Sequence, residues 1–231
     1  MEIFEKKNRV IDLVLANDSL LPVLNRFGIS LGNKDKSIED ICEKQGLDVA
    51  FVLAIVNTYH NEEYFPEKRL KEFSPLTLID YLKKTHSHYV NYVVPKLDNL
   101  FSELIASSGS NSHQLQIVEM FYEKYRTELL LHVQEEEEKV FPYITNVVLG
   151  EVPDASYSIH TFEKEHAHVD DKLHDLINLI IKYVEPVYNE NLCNEFLFNL
   201  FRFEKDSEDH ARIEDKILIP MVVELENRVN G

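Results

Sequence analysis

The sequence predicts an all-α protein, an antiparallel up-and-down four-helix bundle preceded by a small helical domain. Three observations carry this. Glycine (6) and proline (8) are scarce in 231 residues, and helix formers dominate. The last two thirds of the chain divide into four long segments with apolar residues every three to four positions. Short polar stretches join those segments, and short connections make consecutive helices antiparallel neighbours.

The N-terminal third reads as short helices with breaks, a domain over 1–66. The first helix spans Glu5 to Leu15. The second spans Leu20 to Phe27 and is stopped by Gly28. Ser37-Ile38-Glu39-Asp40 has the form of a capping box with Asp in place of Glu, and it starts the third. Asp48 caps a fourth over Val49 to Tyr59. The stretch Asn61 to Phe73 is charged, contains Pro66 and lacks periodicity, so it is expected to be a linker. The second domain covers 74–231. Ser74-Pro75 opens it, a cap followed by proline at the first helical position. Helix A then runs to about Ala106 with an expected kink at Pro95. Helix B spans Ser112 to Phe141, helix C Ala155 to Val184, and helix D Glu190 to Ile219. The loops fall at Ser107 to Asn111, Gly150 to Asp154, and Pro186 to Asn189.

Each long segment carries one stripe. Helix A presents Ile79, Leu82, His86, Tyr89, Val93, Leu97, Leu100 and Leu104. Helix B presents Ile117, Phe121, Tyr125, Leu129, His132, Glu136 and Val140. Helix C presents Phe162, His166, Val169, Leu173, Leu176 and Ile180. Helix D presents Phe196, Leu200, Phe203, Ser207, His210, Glu214, Ile217 and Met221. A histidine interrupts every stripe, and a glutamate interrupts two of them. Burying an unpaired carboxylate costs several kcal/mol or more, and no Lys or Arg lies beside these on the stripes. A bound metal pair would supply the missing charge.

The two glutamates sit in segments that repeat one another. His132-Val133-Gln134-Glu135-Glu136 is followed by Pro142, and His210-Ala211-Arg212-Ile213-Glu214 by Pro220, in both cases ten residues after the histidine. Positions i and i+4 lie one turn apart on one helix face, so each segment aims an imidazole and a carboxylate the same way. This mixture of ligands suits iron, manganese or zinc. The expected centre holds two metal ions, with Glu136 and Glu214 as bridges and His86, His132, His166 and His210 as terminal ligands. Asp170, four residues after His166, makes a third His-x-x-x-carboxylate turn and joins the metal ligands. His86 and His88 point about 200° apart on a helix, so only His86 faces inward. His60, His160, His168 and His174 are expected at or near the surface. Glu135, Glu137 and Glu138 read as a solvated acidic face.

These residues carry a resemblance. One His on the first helix, His-x-x-x-Glu on the second, His on the third and His-x-x-x-Glu on the fourth is similar to the hemerythrin-like domain. Val140-Phe141-Pro142 and Leu218-Ile219-Pro220 match the hydrophobic-Pro ends of its helices. Phe27-Gly28-Ile29 followed by Ser37-Ile38 resembles the domain ahead of it in the iron-sulfur cluster repair (RIC, or ScdA-like) family. The resemblance implies two non-haem iron ions and repair of iron-sulfur centres damaged by nitric oxide or peroxide. Two departures stand out. Where that family carries adjacent cysteines after the second helix, this chain has Ile29-Ser30-Leu31-Gly32. The family's further histidine between helices one and two has His113 as its nearest counterpart, about 28 Å from His132 along a straight helix.

The net charge of −17 disfavours nucleic acid and anionic membranes, whose phosphates it repels. No signal peptide is evident at Met1 to Glu5. The longest apolar run, Leu176 to Val184, is broken by Asn178, Lys182 and Tyr183. Cys42 and Cys193 form no CxxC, so a disulfide framework or thiolate zinc site does not follow, and a reducing cytoplasm is expected. The function expected is a di-iron stress protein for iron-sulfur repair or nitric oxide handling, a repair or sensor protein rather than a turnover enzyme. Its partners would be damaged iron-sulfur proteins or a diatomic gas, O2 or NO. A homodimer is compatible with the sequence. The alternative is an oxygen- or iron-binding or sensing module without repair activity. A ferritin-type oxidase ranks last, because it needs Glu-x-x-His on two helices and only Glu163 to His166 fits.

Overall fold

A computed structural model describes residues 3–108, 113–151, 159, 169–185 and 188–229. Its regular elements are helical, as an all-α bundle requires. The first five helices are α1 (Val10–Ala16), α2 (Leu20–Arg26), α3 (Ile38–Gln45), α4 (Val49–His60) and α5 (Glu67–Leu70). Next come α6 (Pro75–His88), α7 (Val94–Ser107), α8 (His113–Glu135) and α9 (Phe141–Leu149), followed by α10 (Val169–Tyr183), α11 (Glu190–Ile213) and α12 (Ile219–Val229). The chain divides into two compact units. One comprises Met1–Thr85 with Asp209–Met221, the other His86–Glu208 with Val222–Gly231.

Local signals decide most starts in the first unit. Ser37 accepts a hydrogen bond from the Asp40 amide while Asp40 accepts one from the Ser37 amide, closing the capping box at α3. Asp48 accepts from the amides of Ala50 and Phe51 at the start of α4. Gly46 ends α3 at φ 69°, a left-handed conformation that costs glycine little. The first helix starts later than expected, at Val10 rather than Glu5, because the backbone at Lys6 and Asn8 is used otherwise. The carbonyl of Asn8 accepts from Ile38 and that of Lys6 from Glu39, which ties the N-terminal strand of chain to α3. The expected linker is also more ordered than its composition suggests. It contains α5, whose Leu70 is fully buried, and Phe73 packs edge-on against Phe51 at 5.0 Å.

The second unit holds the greater part of the bundle. Asp98 of α7 accepts from Tyr122 (2.7 Å) and Arg126 (3.0 Å) of α8. Phe101 lies 5.0 Å from both Tyr122 and Phe196. Tyr89 meets Phe203, Lys96 meets Glu195, and Ser107 meets Asn189. The residue number rises along one helix as it falls along the other, so these neighbours are antiparallel. Leu173, Leu176, Ile177 and Ile180 of α10 close the same core. The stripe of helix B needs correction in its first half. Ile117 is 45% exposed, whereas Val118 and Tyr122 are buried, one position round the helix from the residues expected.

Helices B and D do not stop at their prolines. Both continue, to Leu149 and Val229, through a wide π turn placed just ahead of the proline. The π turns span Tyr89–Val93, Glu136–Val140 and Glu214–Leu218. In each, the amide of the residue before proline reaches the carbonyl five residues back: Val94 to Tyr89, Phe141 to Glu136, Ile219 to Glu214. Proline in an α-helix lacks a donor, and its ring strikes the carbonyl four residues earlier. One extra residue in the turn moves that carbonyl aside, so the helix passes the proline without breaking. At Pro95, where a kink is expected, the chain carries such a π turn over Tyr89–Val93.

A candidate metal centre

Glu136 and Glu214 each occupy the first position of a π turn, and both are buried (0% and 1% exposed). In the second unit, the Glu136 carboxylate has an imidazole at each oxygen. His86 Nε2 stands 3.0 Å from Oε2, and His132 Nε2 stands 3.4 Å from Oε1. His86 is itself buried, and His132 is partly so. In the first unit, His210 Nε2 stands 3.0 Å from Glu214 Oε1, both side chains being buried. The i, i+4 geometry read from each repeat is therefore present in both turns.

The downstream proline motif has a local purpose. Phe141, delivered just past its π turn, stacks on His86 with ring centres 5.4 Å apart and planes 12° from parallel. That contact limits the tilt of the imidazole. The other ring nitrogen is held as well: His86 Nδ1 lies 3.1 Å from Glu137 Oε1. The arrangement is carboxylate–histidine–carboxylate, with the inner partner fully buried and the outer one at the edge of solvent. A carboxylate behind a histidine fixes its tautomer and raises its basicity as a ligand. From the sequence, Glu137 is expected on a solvated face. The signal available was its place next to Glu136, but nothing in the sequence alone locates His86 opposite it.

Of the other residues expected at the centre, His166 lies outside the described residues. Asp170 falls on α10, with no side-chain placement described. His88 is half-buried and stacks on Tyr92 at 5.3 Å rather than facing inward. His113 is exposed at the start of α8. His174 is exposed and pairs with Glu204 at 2.9 Å, while His60 is more buried than expected, against the Phe4 ring at 4.3 Å. His160 and His168 lie outside the described residues.

The donor chemistry fits a metal ion. Two carboxylates sit where a lone negative charge is costly, beside imidazoles that neutralise them only when protonated. By type and burial, His86 and Glu136 in one unit, and His210 and Glu214 in the other, are residues that could each offer a ligand atom to a metal. The family described as Hemerythrin HHE cation binding domain matches residues 77–222, which include all four. The chain belongs to the hemerythrin HHE family. Over 213 residues it is also 22% identical to the iron-sulfur cluster repair protein ScdA of Staphylococcus haemolyticus (strain JCSC1435). That match covers 90% of this chain and 93% of the relative, so this hemerythrin-family member is ScdA-like along nearly its whole length. No solved structure matches the chain. Among the described residues, no helix is long and apolar enough to cross a membrane.

The cysteines stand apart from this chemistry. Cys42 and Cys193 are both buried. Desolvation, helped by the charge of Asp48, pushes the Cys42 thiol up from an ordinary 9.0 to about 11. Burial raises Cys193 too, with the Tyr188 hydroxyl opposing. A disulfide-based thiol reagent at pH 8 should therefore modify the native protein only as fast as it opens, and rapidly once it is unfolded. The shift also sets a pH dependence. The unfolded Cys42 loses its proton near pH 9 while the folded one keeps it to about 11, so stability from this group is full below pH 9 and is lost as pH rises to 11. Cys42→Ser should flatten that part of a denaturant-midpoint profile.

Proposed function

We propose that this chain is a di-iron protein serving the repair of oxidatively or nitrosatively damaged iron-sulfur centres, or the handling of nitric oxide. The observation that carries the reading is the Glu136 carboxylate, fully buried with an imidazole at each oxygen, matched by the buried His210–Glu214 pair. Membership in a cation-binding family and the ScdA-like length of the match support it. The proposed ligands are His86, His132, Glu136, His166, Asp170, His210 and Glu214, for two iron ions, with manganese or zinc as substitutes. Bound iron would supply positive charge against the carboxylates and an open coordination position for a diatomic gas. The protein's own part is to fix the tautomer and the aim of the imidazoles, which Glu137 and Phe141 do for His86. The client would be a damaged iron-sulfur protein or free O2 or NO. The net charge of −17 argues against nucleic-acid and anionic-membrane partners, and two cysteines without a disulfide framework suit a reducing cytoplasm.

Metal analysis of protein produced with iron supplementation tests the centre, with about two iron ions per chain expected. A chain purified without metal, and taking up none on reconstitution, would overturn it. Incubation of the iron-loaded protein with a nitrosylated or peroxide-damaged iron-sulfur enzyme tests the repair role, with recovery of enzyme activity expected. One observation favours the second reading, a binding or sensing module: both thiols are buried and raised, so the chain offers no reactive cysteine for cluster chemistry. No recovery, together with reversible oxygen binding in the visible spectrum, would decide for that module.

The Glu137 contact gives a further expected outcome. Glu137→Ala should weaken metal binding by about 10- to 100-fold, the usual cost of losing such a partner, with the helical circular dichroism unchanged. Chelator competition measures it.

A further inference from the structure

Between His210 and Glu214 stands Arg212, a residue neither a ligand nor part of an apolar stripe. Its guanidinium donates to three oxygens. Nη2 reaches the Thr58 carbonyl at 2.8 Å and Asp209 Oδ1 at 2.7 Å, and Nη1 reaches the Glu62 carbonyl at 3.0 Å. Its flat face lies over the Phe65 ring, 4.9 Å from the centroid. Asp209 is buried and supplies the countercharge.

The carbonyl partners identify what is being held. Thr58 lies in the last turn of α4 and is fully buried. Carbonyls in that turn have no intrahelical donor, and they carry the negative end of the helix dipole. An exposed end would use water; this buried one needs a donor from elsewhere in the chain. Arg212 provides it, and spans to Glu62 just beyond the helix. Two more contacts join the same partners. Lys216 lies 5.7 Å from the Phe65 centroid, and α5 packs against the π turn Glu214–Leu218. Residues 209–221 accordingly belong to one compact unit with residues 1–85.

We infer that Arg212 is a positioning residue that fastens the His210–Glu214 turn to the C-terminal end of α4. The N-terminal helices thereby set where this ligand pair is held, a role that needs no cysteine. The inference rests on the metal reading of His210 and Glu214 proposed above. A fork with two carbonyls, a carboxylate and a ring face suits arginine alone. Lysine has a single ammonium and would keep the charge while losing the two-carbonyl span and the stacking.

The test uses the full chain as wild type, Arg212→Lys and Arg212→Met. Iron affinity is read by chelator competition, and amide hydrogen exchange over 57–62 is read with and without iron. Iron should slow exchange at the end of α4 in the wild type. Arg212→Met should weaken iron binding by at least tenfold and abolish that slowing. Arg212→Lys, which retains the charge and folds if the methionine variant does not, should weaken iron binding to a lesser extent and restore part of the protection. Wild-type affinity in both variants, with exchange over 57–62 indifferent to iron, overturns the inference and leaves the metal centre standing. A wild type that binds no iron overturns the metal reading and this inference with it.

Discussion

Stripping the metal from the loaded protein is expected to lower its melting temperature by about 8–16 °C. Two effects act in the same direction. A ligand bound only to the native state at a thousand times its Kd stabilises that state by about 4.1 kcal/mol. For a chain of this size each kcal/mol moves the midpoint by roughly 2–4 °C. Removal also takes away the charge opposite Glu136 and Glu214, buried carboxylates that must then rely on protonated histidines. Calorimetry with and without a chelator measures the shift. Identical melting curves would mean that these glutamates do not need a cation where they are.

Phe196→Ala is expected to destabilise the protein by about 3–5 kcal/mol, the range for deleting a large aromatic side chain from a packed core. Phe196 is fully buried, stacked on Phe101 at 5.0 Å and edge-on to Tyr122 at 5.9 Å. It sits far along the chain from the ligand turns, so the iron content of the folded variant should match the wild type. Guanidinium unfolding gives the first number and metal analysis the second. Reduced iron with little loss of stability would place Phe196 in the function rather than in the core.

The repeated His-x-x-x-Glu turns were legible because a helix brings i and i+4 together whatever surrounds it. The capping residues Ser37 and Asp48 were legible for a similar reason, since their partners lie within three residues. Two kinds of feature escaped. Helices B and D run past the ends expected at Phe141 and Ile219, because nothing local announces that a π turn will carry the chain past the proline. Contacts between distant segments were also hidden. Glu137 opposite His86, and Arg212 against Thr58 and Glu62, depend on which helix end comes to rest beside which. The one-position offset at Ile117 has a gentler origin. Near the start of α8 apolar residues occur on more than one face, so the pattern alone leaves the rotation undetermined.

The interleaving of residues 209–221 with residues 1–85 bears on how the polypeptide is born. During synthesis the leading portion leaves the ribosome long before its missing piece has been translated. It cannot finish folding as an independent unit in the usual amino-terminal-first order. Closing so long a loop is entropically slow to begin. A prematurely terminated product lacking the last two dozen residues would therefore lose the order of its opening segment as well as of its tail, and limited proteolysis of nascent chains would reveal it.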